Sequence, residues 1–209
     1  MAFSLYALAS CNGGAANSQN GSTDSLQTNS PEKKQPTANY KPAIAGQTRA
    51  PEVKTQTPIG IDLLDTTLNH PWGICNLPDG RLLISEKMGT MRIESLDGKT
   101  HKEIKGFPSV VPDGQGGLLD VNIDLNFAQN RIIYWDYSER QADSTLLLAI
   151  AKGTLSKDES KIENPTVIYR ATPSFKGAIQ YGSRILIDKS GNLFVSTGER
   201  SAKEIRMQA

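Results

Sequence analysis

Between Asp113 and Asp120 the chain reads Asp-Gly-Gln-Gly-Gly-Leu-Leu-Asp, three glycines and one carboxamide ahead of an apolar pair. Glycine lacks a Cβ and adopts positive φ at little cost, so the run predicts a tight loop feeding a hydrophobic strand. Such a loop lets backbone and the Gln115 amide approach something flat and bulky. Proton transfer near neutral pH is most often the work of an imidazole, and the sequence has two, His70 and His101. His70 precedes Pro71, which predicts an extended loop conformation and a structural role. His101 lies in Lys99-Thr-His-Lys-Glu103, a polar stretch that reads as solvated surface. Neither has a positional claim to be a base. No calcium loop of the EF-hand type and no nucleophile–base pair of a hydrolase is evident.

The elements that must carry this loop repeat one pattern. Trp72-Gly-Ile-Cys-Asn-Leu77 is followed by Pro78-Asp79-Gly80 and Arg81-Leu-Leu-Ile-Ser85. Val121–Phe127 leads through Ala128-Gln129-Asn130 into Arg131–Ser138, and Arg184–Asp188 leads through Lys189-Ser190-Gly191 into Asn192–Ser196. Each copy is a β-rich run, a turn containing Gly or Asn, then a second β-rich run, which predicts a hairpin. Thr90–Leu96, Leu146–Leu155 and Pro165–Tyr169 are further strand candidates between the copies. Four short strands per fifty to sixty residues describe a propeller blade with long loops. Helical periodicity is nearly absent.

Of the 209 residues 37% are apolar and 6% aromatic, with 23 basic against 22 acidic side chains. This near-neutral balance, without a Lys/Arg cluster, excludes a nucleic-acid footprint and a polybasic membrane patch. Residues 12–58 are rich in Asn, Ser, Gln, Thr, Gly and Pro and hold little that could be buried. Their ordering entropy is not recovered, so a disordered polar linker is expected. Residues 1–11 are apolar and end Leu8-Ala-Ser-Cys11, similar to a bacterial lipobox but without a charged n-region. The expectation is export to the periplasm, or anchoring at the outer membrane through a lipid on Cys11. Cys11 and Cys75 have unlike surroundings and are not expected to pair.

Asp113–Asp120 with the following Val121-Asn-Ile-Asp-Leu-Asn-Phe-Ala128 resembles the glucose/sorbosone dehydrogenases, soluble aldose dehydrogenases that use pyrroloquinoline quinone (PQQ) and calcium. His70-Pro-Trp-Gly73, Leu77-Pro-Asp-Gly-Arg81, Gly182-Ser-Arg-Ile185 and Gly198-Glu-Arg200 share the resemblance, which covers roughly Leu68 to Ala209. It implies an all-β fold, a partial six-bladed β-propeller of about three four-stranded antiparallel blades over residues 59–209, read as the N-terminal part of such a domain. It implies PQQ-dependent oxidation of aldose sugars at C1 to lactones, with electrons passed to an external acceptor. Gln115 and Gln208 match cofactor-contacting glutamines of the family. Gln180 stands where the family has its base histidine, and Glu199 matches the carboxylate that orients that histidine. The family's calcium ligands fall beyond Ala209, so no metal ligand is assigned here. A carboxamide has no useful basicity, and positioned acid–base catalysis is worth roughly 10²–10⁴-fold. The chain alone is therefore expected to be inactive. The alternative is a non-catalytic propeller module that binds glycan or protein at the cell surface.

Overall fold

The computed structural model describes residues 39, 41, 43–47, 56–204 and 206–208. By its contacts the chain divides into Met1–Leu63 and Leu64–Ala209. In the first unit Gln47 N–H donates to Ile44 O at 3.1 Å and Gln47 Oε1 accepts from Ala43 N–H at 3.0 Å, closing a turn. Cys11, the lipobox-like segment 1–11 and most of 12–58 lie outside the described residues.

In the second unit β1 (Pro71–Asn76), β2 (Leu82–Glu86), β3 (Thr90–Glu94) and β4 (His101–Ile104) form an antiparallel sheet in sequence order. A second four-stranded sheet follows in the same order: β5 (Leu118–Ile123), β6 (Ile132–Arg140), β7 (Leu146–Leu155) and β8 (Ile162–Arg170). Then β9 (Gly182–Ile187) and β10 (Leu193–Thr197) make a hairpin. The expected all-β fold is the one observed, with three consecutive antiparallel sheets laid face to face as propeller blades are. The third sheet has two strands, not four, among the described residues.

The stacking explains the apolar run Leu146–Ala151. Its odd-numbered side chains Leu147, Ala149 and Ala151 join a core with Leu83, Met91, Ile93 and Ile104 of the first sheet. Leu146 and Leu148 turn the other way, to Leu119 and Tyr181 under the third. A sheet covered on both faces needs apolar residues at consecutive positions, which is why alternation is lost in β7. Trp135 fills the centre of the larger core, with Phe107 against it edge-on at 5.2 Å.

Two expectations need correction. The turn Ala128–Asn130 belongs to a short helix, α1 (Phe127–Asn130), closed by Arg131 at φ 55°. And the polar stretch around His101 is a strand, β4, whose first three residues are exposed. As the outer edge of its sheet it has one buried residue, Ile104, so no apolar alternation announces it.

The first strand of each sheet carries a register break of the same kind. Pro71 pairs Glu86 and Ile74 pairs Ile84; Leu118 pairs Tyr137 and Val121 pairs Trp135; Gly182 pairs Thr197 and Ile185 pairs Val195. In each, two residues (Trp72-Gly73, Leu119-Asp120, Ser183-Arg184) oppose one across the ladder. Such a bulge bends a strand and re-aims its side chains. The three first strands also adjoin one another, β1 against β5 and β5 against β9.

Candidate functional site

A cleft of about 450 Å³ opens over the three bulged strands, lined by Trp72, Lys87, Gly114, Gln115, Leu119, Gln180, Tyr181 and Gly182. That is the size of a cleft for a small-molecule ligand. Trp72 and Leu119 come from two bulges, and Gly182 begins the strand with the third. Gln115 sits on the glycine loop. A Cβ on Gly114 would strike the Ala178 carbonyl and one on Gly117 the Lys87 carbonyl, so these glycines serve close packing of the chain on itself. Of the loop, Gly114 and Gln115 reach the cleft.

Gln115 and Gln180, 65 positions apart, meet there. Gln180 N–H donates to Gln115 Oε1 at 2.8 Å, and Gln115 N–H donates to Ala178 O at 2.6 Å. With its Oε1 engaged, the Gln115 carboxamide presents NH₂ donors. Lys87 Nζ donates to Gly114 O at 2.6 Å, which ties a cation to the loop. The Gln180 backbone is strained, at φ 55°, and its carbonyl accepts from Arg200 N–H at 3.0 Å and Arg200 Nη1 at 2.6 Å. Arg200 is itself buried with its guanidinium 4.5 Å over the Tyr181 ring, so Gln180 is held from both sides.

Beneath the cleft lies a polar network formed by the bulges. Buried Asp136 Oδ1 accepts from Asp120 N–H at 2.8 Å and from Ser183 Oγ at 2.6 Å. Asp120 Oδ2 accepts from Ile185 N–H at 2.7 Å, and its Oδ1 from Arg184 Nη1 at 3.1 Å. Arg184 lies 5.9 Å from the Trp72 ring, across the first and third bulges. Burial pushes the Asp136 carboxyl up to about 7, against the bonds from Ser183 and Asp120. Its Oδ2 has no partner among the described residues, the place a proton would sit.

Arg184 pairs with Asp120, and Glu199 Oε1 meets Arg206 Nε at 3.5 Å. Glu199 is not among the side chains lining the cleft. Gln208 ends a 3₁₀ turn, Arg206–Gln208, and its side chain lies outside the described ones. His70 adopts φ 53° and not the extended conformation its proline neighbour suggested, because its carbonyl turns to accept Lys87 N–H at 3.0 Å. Cys75 is free and half-buried, its thiol pushed up to about 12 by burial and by Asp120. Lys87, Tyr181 and Arg200 escaped the sequence reading as site residues. Nothing in their spacing marks them: Lys87 and Tyr181 line the cleft, and Arg200 packs against Gln180 and Tyr181 without lining it.

The profile of the Glucose / Sorbosone dehydrogenase family matches residues 68–209. The chain belongs to this family. It is 34% identical over 146 residues to aldose sugar dehydrogenase YliI of Escherichia coli, an alignment covering 69% of this chain and 39% of that protein. The crystal structure of the soluble aldose sugar dehydrogenase of E. coli in its apo form superposes with a TM-score of 0.65 at 35% identity, over 69% of this chain and 42% of that one. The PQQ-bound aldose sugar dehydrogenase of Streptomyces coelicolor gives 0.59 at 26% identity, over 69% and 42%. The chain thus spans about two-fifths of the length of these glucose/sorbosone dehydrogenase relatives. Among its described residues no helix is long and apolar enough to cross a membrane.

The cleft suits the family's planar, polyanionic cofactor. It offers an indole and a leucine as apolar walls, a lysine ammonium, and a carboxamide whose oxygen is already engaged. Those are the groups that would hold an acidic quinone. No oxygen cluster suited to calcium lines it.

Proposed function

We propose that this chain forms the cofactor-facing part of a PQQ-dependent dehydrogenase oxidising aldose sugars at C1 to lactones, on a six-bladed propeller. The carrying observation is the Gln115–Gln180 link at 2.8 Å inside a cleft of cofactor size. Bound there, the quinone would supply the hydride acceptor, with calcium as the Lewis acid that the family resemblance implies, and an external acceptor would reoxidise it. The chain's own groups do the rest. Gln115 donates its NH₂, Lys87 offsets negative charge, and Trp72 and Leu119 keep water from one side. Gln180 presents a carboxamide that can orient a sugar hydroxyl but cannot take its proton. Glu199, engaged by Arg206, is given no proton-transfer step. The cofactor contact carried by resemblance to Gln208 stands as part of the same proposal, as does export with lipid attachment at Cys11.

The test is an absorbance titration of the purified chain with PQQ. Saturable 1:1 binding is expected, and Gln115→Ala should weaken it roughly three- to tenfold, the loss of one net hydrogen bond. Absence of saturable binding refutes the reading. Gln180→His should raise sugar-dependent dye reduction in the PQQ-loaded protein, since histidine tolerates the φ 55° found there. Gln180 also favours a second reading, a glycan-binding module without catalysis. Aldose binding that persists without PQQ and is lost on Gln180→Ala would select it.

A further inference from the structure

A second group of side chains lies on the first sheet, outside the cleft. Glu94 ends β3 and faces His101, which begins β4, as a cross-strand pair. The strap preceding β1 passes beside them. Its Leu64 carbonyl is pressed against Gly98 in the β3–β4 turn, and its Asp65 is folded back on Thr67 by bonds of 2.6 and 3.0 Å. As a result Asp65, Glu94 and His101 each offer a ligating atom, and these atoms all lie within 4.8 Å of one another.

Glu94 supplies the independent observation. It is 1% exposed, and among the described residues neither carboxylate oxygen has a hydrogen-bond partner. A buried carboxylate without a donor is costly, and such a group normally finds a cation or a hydrogen bond. The nearby guanidinium does not meet this need: Arg92 Nη1 lies 3.4 Å from Asp65 and 3.7 Å from Glu86. Asp65, Glu86 and Glu94 then stand against one arginine.

We propose that Asp65, Glu94 and His101 form a zinc-type divalent metal site that pins the strap to the β3–β4 hairpin. Two carboxylate oxygens and one imidazole nitrogen are a zinc-type donor set, whereas calcium and magnesium take oxygen ligands throughout. The exposed side of His101 leaves the fourth position to water. The ion would neutralise Glu94 and give its oxygens a partner. The inference does not rest on the dehydrogenase reading, because none of the three residues lines the cleft.

The test is calorimetric titration of the chelator-treated full chain with ZnCl₂, alongside thermal melts. One Zn²⁺ per chain should bind and raise Tm, as any ligand of the folded state does. Glu94→Gln and His101→Ala should each weaken binding at least about tenfold, given that even outer-shell losses at metal sites cost that much. His101 is exposed, so its variant should fold whatever Glu94→Gln does. His70→Ala should bind Zn²⁺ like the parent, which sets the site apart from casual histidine binding. No stoichiometric Zn²⁺ binding, full affinity retained in His101→Ala, or Ca²⁺ bound as tightly as Zn²⁺ would each overturn the proposal.

Discussion

Asp136 is held through only one of its two oxygens, and its burial makes it a poor place for a charge. Two donors, Asp120 N–H and Ser183 Oγ, converge on Oδ1, while Oδ2 is buried and bare. A neutral carboxyl suits that arrangement better than a carboxylate, and burial moves the group up to about 7. The unfolded chain ionises it near its ordinary value of 3.8. Between those two values the folded protein holds the extra proton, so this group makes stability fall as pH rises from about 4 to about 7 and adds no further change above. Asp136→Asn keeps the accepting oxygen and replaces the ionisable one by NH₂. It should flatten urea-unfolding free energies between pH 4 and 7 and stabilise the protein at pH 7.5 by on the order of 1–3 kcal/mol, three pKa units being an upper bound near 4. A variant whose pH dependence matches the parent would show that Asp136 is charged in the fold.

At the scale of elements the three bulges account for motifs that otherwise look unrelated. Pro-Trp-Gly73, Leu-Leu-Asp120 and Gly-Ser-Arg184 occupy the same place on β1, β5 and β9, and each puts one residue into the contact between neighbouring first strands. Gly73 shows how tight that contact is, for a Cβ there would lie 2.8 Å from Asp120 Oδ1 and 2.9 Å from Asp120 Cα. Gly73→Ala should therefore force β1 from β5 and lower the unfolding free energy by about 1–3 kcal/mol, the usual cost of overpacking. Urea titration at neutral pH would read it, and a change below 0.5 kcal/mol would mean that the bulges are not interlocked. Strand positions were legible in the sequence wherever a hairpin turn stood between β-rich runs, as at Pro78–Gly80 and Lys189–Gly191. The run Leu146–Leu155 coincides with β7. Bulges were not legible, because they shift register without changing composition. Gln115 could be picked out by its glycine flanks. Lys87 and Arg200 reach their places through long-range pairing, which one chain's residue order does not display.

Across the molecule, the first two sheets are joined by more than their shared core. Glu159, in the turn between β7 and β8, gathers cations from the first sheet and from the end of α1. Arg81 meets it through two bonds of 2.9 and 2.6 Å, Lys102 at 3.2 Å and Arg131 at 3.7 Å. Backbone continues the clasp, with Lys105 N–H on Ser160 O at 3.0 Å and Ile162 N–H on Lys105 O at 2.7 Å. Arg81, first among its neighbours, holds the Glu159 carboxyl down at about 2, against an ordinary 4.5. Its side chain is 14% exposed, so the pair is only partly screened. A depressed carboxyl adds stability above about pH 4.5 and surrenders it as pH falls through about 2. Glu159→Gln keeps the shape and removes the charge, and should cost roughly 1.5–3 kcal/mol at pH 7, the range for hydrogen bonds to charged groups. The deficit should shrink steadily below pH 4.5 until parent and variant unfold alike near pH 2. Equal stabilities at pH 7, or a deficit that persists in acid, would show that the sheets are held by apolar contact alone and that the clasp only decorates their edge.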